Sequence, residues 1–308
     1  MDTAKDHADI PNEHISVLTD KLTELVKLPK DGLMVDATLG HGGHSLLFGK
    51  TLGPEGLIFG LDVDENCIKR AQSILNSLEC RVTIVRENFA RISDVLAEND
   101  IEKVDFILAD LGFCSAQLAD SQRGLSFQEN MPLDMRLDYR ISLTAADIIN
   151  GYDEDSLANV IYEFGQERAS RRIARYIVEQ RKQQKIMTTA HLAALICRAL
   201  NQPVHGRRAR KIHPATKTFQ ALRIAVNGEL DSLKSILCAA PDLLKTGGRI
   251  AIISFHSLED KIVKEDFKRN GKAGIYEIVT SKPIVASRAE VENNPRARSA
   301  KLRIAGRS

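Results

Sequence analysis

In the stretch DATLGHGGHS, residues 36 to 45, three glycines occupy four positions shortly after an acidic residue. Gly40, Gly42 and Gly43 follow an apolar run and open a segment of helical character. A backbone without side chains at such a turn lets a ligand lie against the N–H groups of the helix start. A purely structural turn between strand and helix asks for the same residues, so the loop alone leaves both readings open. Asp62 ends the next apolar run, 20 residues past Gly42. A carboxylate there can accept hydrogen bonds from both hydroxyls of a ribose, or it can cap the helix that begins near Asp64. Loop and acid together point to a nucleoside cofactor. The order G-H-G-G-H-S lacks the third glycine of the dinucleotide fingerprint, and His44 and Ser45 stand where a helix would close over a pyrophosphate, so a smaller cofactor without phosphates fits better.

Two later runs end in chemistry-bearing residues. ILADLGFCSAQL delivers Asp110 to a strand end, where it can contact cofactor or substrate or simply cap the loop. SFHSLED brings Ser254, His256 and Ser257 to the same edge. His256 is a candidate for direct chemistry, weighed against the commoner role of a hydrogen-bonded structural histidine.

Seven short β-rich runs carry these residues: LMVDAT, LIFGLD, VTIVRE, VDFILAD, RIAIISF, IYEIVTS and AKLRIA. Helical segments alternate with the first four (Ser45 to Leu52, Asp64 to Leu78, Ala90 to Ala97). The expected fold is therefore α/β, a doubly wound, Rossmann-like sheet of seven strands. From about Leu111 to Pro214 the strand signal gives way to helical periodicity, as in ERASRRIARYIVEQRKQQK. This predicts a helical domain inserted over 116–214 between sheet portions 1–115 and 215–308, with one helix spanning about Lys217 to Ala240 as the sheet resumes.

The 308 residues are 43% hydrophobic, enough for a sizeable core, and carry a formal charge of +2. Attraction to an anionic partner must therefore come from local clusters. Five cysteines, odd in number and without C-x-x-C, argue against a disulfide frame and against a metal site, and suit a reducing cytoplasm. The polar N-terminus and the lack of 18 consecutive apolar residues predict a chain neither secreted nor membrane-spanning.

Several long motifs in order, DATLGHGGHS, DLGFCSAQL, RGLSF, PLDMRLD, HPATKTFQALRIAVN, GGRIAIISFHSLEDKIVK and NPRARSAKLRIA, resemble the bacterial 16S rRNA cytosine-N4 methyltransferases, the MraW family, from about His14 to Arg307. The resemblance implies a class I, S-adenosylmethionine-dependent methyltransferase fold with a helical insertion. It implies as substrate a cytidine in the decoding region of 16S rRNA, methylated on N4. Carried over by position, the family's cofactor contacts fall on Gly42, Gly43, His44, Asp62, Phe89, Asp110 and Gln117. The chain departs from the family's usual residues at Phe113, Cys114 and Ala116, which bears on the substrate loop.

Methyl transfer from a sulfonium to an amine needs alignment and no metal. Asp110 is the candidate acceptor for an amine hydrogen, although the chain has Asp-Leu-Gly-Phe where many amino-methyltransferases have Asp/Asn-Pro-Pro-aromatic. The base must be single-stranded or flipped out, with Phe113 and Phe127 as candidate stacking partners. Two basic clusters are candidates for phosphate contact: Arg207, Arg208, Arg210, Lys211 and Lys217, then Arg296, Arg298, Lys301 and Arg303. The partner expected is the small ribosomal subunit, and a homodimer is left open. The competing readings are a C5 methyltransferase using Cys114, a non-catalytic RNA-binding assembly factor, and an NAD-binding oxidoreductase, which the loop spacing disfavours.

Overall fold

The computed structural model describes residues 16–114, 117–118, 120–202 and 213–308. Strands buried on both faces must be apolar at successive positions, and their side chains must divide between two cores. The central strands do so. Met34, Ile58, Phe106, Leu108 and Ala251 enter one core, and their neighbours Val35, Phe59, Ile107, Ala109 and Ile252 the other.

The strands are β1 (Leu33–Asp36), β2 (Leu57–Asp62), β3 (Arg81–Arg86), β4 (Val104–Asp110), β5 (Leu244–Ser254), β6 (Tyr276–Ile278), β7 (Ile284–Val285) and β8 (Lys301–Arg307). The sheet order is β3-β2-β1-β4-β5-β8-β6, with β7 also paired to β8. The first five strands are parallel, and β8 runs antiparallel to β5, β6 and β7. Seven of the eight are the expected runs. The eighth, β7, has two residues and is too short to carry a periodic signal. Between β1 and β4 the winding reverses, so Asp36, Asp62 and Asp110 end their strands around one crevice.

Helices α1 (Thr19–Leu25), α2 (Gly43–Gly49), α3 (Glu65–Leu75) and α4 (Ile92–Ala97) accompany the first strands. Between β4 and β5 lie α5 (Ala145–Gly151), α6 (Glu154–Gly165), α7 (Ser170–Arg181) and α8 (Thr189–Ala199), the stretch expected to form the insertion. Side-chain caps start three of them: Thr144 forms a capping box with Asp147, Asp153 accepts from the Ser156 N–H, and Thr188 accepts from the His191 N–H.

The single helix expected over Lys217 to Ala240 is two, α9 (Thr216–Asn227) and α10 (Glu229–Leu243). Gly228 separates them at φ 59°, a left-handed conformation that costs a residue with a side chain about 1–2 kcal/mol. The apolar pattern continues across the break, so periodicity did not reveal it. Phe219, Leu222 and Val226 of α9 are buried with Leu157, Ile161 and Ile173 in a separate core of the insertion. On that ground we propose that the inserted domain extends through Asn227. Helices α11 (Ser257–Lys272) and α12 (Arg288–Asn293) complete the chain. Among the described residues no helix is long and apolar enough to cross a membrane.

Candidate functional site

A cleft of about 500 Å³ opens at the carboxyl ends of β1, β2 and β4 and continues to the insertion, within the range of small-molecule sites. Gly40, Gly43 and His44 form part of its wall. Gly42 is not among the lining residues. It sits at φ 81°, and a Cβ there would lie 3.3 Å from both Ala71 and Leu75 of α3. Backbone conformation and helix packing therefore account for this glycine without a ligand.

The loop is fastened to Asp62. One carboxylate oxygen accepts from the Gly40 N–H at 2.7 Å and the other from the Asp64 N–H at 2.8 Å. Burial nevertheless pushes the carboxyl up to about 6, because these two backbone hydrogen bonds do not replace full hydration. Further donors from a ligand would favour the ionised form. Phe89 opens the short 3₁₀ turn Phe89–Arg91 after β3 and lines the cleft with Asp62.

On the other side of the loop, Asp36 is buried and accepts from the Ser45 hydroxyl at 2.7 Å. Burial raises its carboxyl above the usual value. Asp110 is placed by its own N–H, which donates to the Thr38 hydroxyl at 2.6 Å. His44 Nε2 lies 3.5 Å from Asp110 Oδ2, close enough for charge attraction and too far for a good hydrogen bond. Both ring nitrogens of His44 and Oδ1 of Asp110 are buried and have no hydrogen-bond partner among the described residues. Burial disfavours the imidazolium of His44, yet Asp110 and the more distant Asp36 outweigh it and raise its basicity. Buried polar atoms left unpaired are costly, and these three line a cleft that a polar ligand could enter.

Gln117 bridges two segments. Its carbonyl accepts from the Cys114 N–H at 2.9 Å, and its amide donates to Asp64 at 3.0 Å. Asp64 caps α3 and also accepts from Arg123 at 2.6 Å. Arg123 is 2% exposed, so it is a buried cation, and it donates as well to Asp120 and to the carbonyls of Arg136 and Leu137. From sequence Asp64 reads only as the start of a helix. Arg123, within RGLSF, had no local signal of its own, since its partners come from distant segments. Cys114 and Cys67 are both buried, with sulfurs 3.4 Å apart, and His41 Nε2 lies 3.7 Å from the Cys114 sulfur. The contact with Cys114 and burial both push the Cys67 thiol well above its usual value.

The far wall comes from α9 and α11. Arg223 lies over the Phe113 ring at 4.9 Å and pairs with Glu229 through two 2.8 Å hydrogen bonds. Asn227 donates to the Met135 carbonyl and accepts from the Leu137 N–H, joining PLDMRLD to the end of HPATKTFQALRIAVN. His256 reaches the cleft and caps a helix, while its buried Nε2, 3.1 Å from Glu259 Oε1, has no hydrogen-bond partner among the described residues. Its Nδ1 accepts from the Glu259 N–H, and the Glu259 carboxylate accepts from the N–H groups of Phe255 and His256. Phe127 packs edge-on against Phe219 and beside the His213 ring, at the edge of the insertion's core.

Of the basic residues, Arg207, Arg208, Arg210 and Lys211 lie outside the described residues. Lys217 donates to the Gln166 carbonyl at 3.0 Å, which partly engages its charge. Arg303 is buried against Asp260, and Lys301 approaches the same carboxylate. Arg296 is half-buried on the cleft wall and Arg298 is exposed. The structure thus brings Asp62, Phe89, Asp110, Gln117, Gly43, His44 and Arg296 to one cleft and leaves Lys217 and Gly42 off its wall.

The match to known proteins covers almost the whole chain. "Ribosomal RNA small subunit methyltransferase H" of Koribacter versatilis is 46% identical over 304 residues, covering 96% of this chain and 94% of the relative. The protein of the same name from Synechococcus elongatus is 47% identical over 294 residues, with 96% and 94% covered. Among solved structures, fibrillarin of Aeropyrum pernix, crystallised with S-adenosyl-L-methionine, aligns with a TM-score of 0.41 at 11% identity, covering 93% of this chain and 72% of that one. The family model described as the MraW methylase family matches residues 11–308, and the chain belongs to that family.

Proposed function

We propose that this protein transfers a methyl group from S-adenosylmethionine to the exocyclic N4 of a cytidine in the decoding region of 16S rRNA. The observation that carries the reading is the set of unpaired buried atoms of His44 and Asp110 beside the half-satisfied carboxylate of Asp62, all in one cleft. Relatives named as small-subunit rRNA methyltransferases over nearly full length support the substrate class.

S-adenosylmethionine is the cofactor, and it supplies a methyl group already activated by a positively charged sulfur. Asp62 accepts hydrogen bonds from the ribose hydroxyls, and Phe89 packs on the adenine. Gln117 fixes the loop that follows β4 over the cofactor by holding the Cys114 N–H and Asp64 together. Asp110 accepts an N–H of the target amine through its unpaired Oδ1, which directs the nitrogen lone pair at the methyl. Asp110 takes the proton that the nitrogen sheds as it gains the methyl, and His44, 3.5 Å from the other carboxylate oxygen, acts on it by charge. Protein groups thus serve mainly to align and to hold a proton.

The insertion closes the cleft on the RNA side. A cytosine in a stacked helix cannot reach a recessed cofactor, so it enters flipped out, against Phe113 held beneath Arg223. Arg296, on the cleft wall, and the exposed Arg298 contact phosphates of the RNA, as do Arg207, Arg208, Arg210 and Lys211. The activity belongs in the cytoplasm with the small subunit. Incubation with labelled S-adenosylmethionine and unmethylated small subunits, followed by nucleoside mass spectrometry, should yield N4-methylcytidine. A 5-methylcytidine product would replace this reading with the C5 one, and no product would favour a non-catalytic assembly factor.

A further inference from the structure

Cys67, Cys114 and His41 come from three separate segments, α3, the loop after β4 and the glycine loop, and meet at one point of the cleft. Their ligand atoms, two thiol sulfurs and an imidazole nitrogen, all lie within 4.8 Å of one another. We propose that these three residues form a binding site for a soft divalent cation of the zinc type, and that occupancy of this site opposes binding of the methyl donor.

The geometry is close to what such an ion requires. Zinc–sulfur bonds of about 2.3 Å and zinc–nitrogen bonds of about 2.0 Å in a tetrahedron set sulfur–sulfur edges near 3.8 Å and sulfur–nitrogen edges near 3.5 Å. Here the sulfurs are 3.4 Å apart and the Cys114 sulfur is 3.7 Å from His41 Nε2. Shifts of a few tenths of an ångström suffice on these two edges, while the third, from the Cys67 sulfur to the His41 ring, lies within 4.8 Å and closes by up to about 1.3 Å as the ion binds. Two sulfurs and one imidazole select a thiophilic ion over magnesium or calcium, which take oxygen ligands. Binding displaces both thiol protons to solvent as the two metal–sulfur bonds form, so the paired thiolates neutralise the ion's charge.

The surroundings carry charge of both signs. The carboxylates of Asp62 and Asp64 act on Cys67 and favour a cation, while the Arg296 guanidinium, close enough to act on Cys114, adds the opposite charge. Three protein ligands leave a fourth position free, and all three residues line the same cleft as Asp62 and Gln117. An ion there, with its fourth ligand, takes up space and fixes the backbone at Cys114, just past β4. That antagonism rests on the donor site proposed above, whereas the metal site itself does not.

The test uses the full-length, reduced protein with Co²⁺ as a spectroscopic stand-in and Zn²⁺ as competitor. One Co²⁺ per chain should give thiolate-to-metal charge-transfer absorption with the intense visible bands of a tetrahedral ion, displaced by Zn²⁺, and affinity should rise with pH as thiol protons leave. Cys67→Ala should weaken binding at least about 100-fold, the upper end of what loss of a supporting partner costs. His41→Ala, at a partly exposed position, repeats the test where the buried change prevents folding. A weak octahedral spectrum, or unchanged affinity in both variants, overturns the site. Donor affinity is titrated for each protein first without metal, which tests the cofactor reading separately. Saturating Zn²⁺ should then weaken it at least tenfold in the native protein and not in Cys67→Ala. Equal donor affinity with and without Zn²⁺ overturns the antagonism.

Discussion

The Arg123 guanidinium donates to the Asp64 carboxylate at 2.6 Å, across 59 residues of sequence and with both side chains almost wholly enclosed. Breaking one side of such a pair leaves a buried charge without its partner, which costs about 3–5 kcal/mol. Arg123→Ala also abandons Asp120 and two backbone carbonyls. Chemical denaturation of this variant should show a loss in that range, and donor affinity should fall with it because Gln117 shares Asp64. A loss under about 1 kcal/mol would mean that the loop re-forms its contacts with water.

Asp62 links the donor site to pH. In the free protein its carboxyl is raised from 3.8 to about 6, chiefly by burial. The ionised form accepts from two hydroxyls, so bound donor pulls the value down again, and binding below pH 6 must release a proton. Affinity should be level above about pH 7 and fall as pH drops through 6, approaching about tenfold per unit. Asp62→Asn should flatten the profile in that window, and Asp62→Ala should weaken binding by about 1.5–3 kcal/mol. Calorimetry in buffers of different ionisation enthalpy measures both affinity and proton release. A flat native profile from pH 5 to 7 would remove Asp62 from the donor site.

What the sequence disclosed depended on whether the signal was local. Strand-end acids and a glycine loop lie within single segments, so Asp62, Asp110 and the crevice they share were legible from runs of apolar residues. Contacts between segments were not. Arg123 reads as one more surface cation until Asp64 is placed beside it, and Cys67 and Cys114, 47 residues apart, show none of the spacing that marks a metal site. Gly42 shows the opposite limit: its motif suggests a ligand, while its φ and the approach of α3 already require a glycine. His256 reads from sequence as a sheet-edge residue and stands there, while its capping partner Glu259 lies on the next helical turn, beyond what the strand pattern shows.

For the basic residues, salt dependence separates phosphate contact from a solvated face. Each lost phosphate contact lowers the slope of log affinity against log salt by about 0.7–0.9. Changing Arg207, Arg208, Arg210 and Lys211 to Ala should flatten the slope for RNA by several such steps and leave donor affinity unaltered. Arg298→Ala, at an exposed site near the cleft, should remove one step. Lys217→Ala should remove less, because its ammonium already donates to the Gln166 carbonyl. An unaltered slope in the fourfold variant would assign that cluster to solvent.

Whether N4 or C5 receives the methyl turns on Cys114 and Asp110. Methylation at C5 requires a thiolate to attack C6 of the ring, and Cys114 lies on the cleft wall. Its sulfur, however, is buried and faces Cys67 at 3.4 Å. Asp110 keeps an unpaired oxygen at the end of β4 beside His44, as acceptance of an amine hydrogen requires. Cys114→Ser should therefore retain most methyl transfer, while Asp110→Ala should lower turnover by about 10²–10⁴-fold, the usual span for a group that handles a proton in the transition state. RNA carrying 5-fluorocytidine at the target should form no covalent adduct with the native protein. An adduct that forms with native protein and is lost in Cys114→Ser would establish attack by this sulfur and overturn N4 as the acceptor.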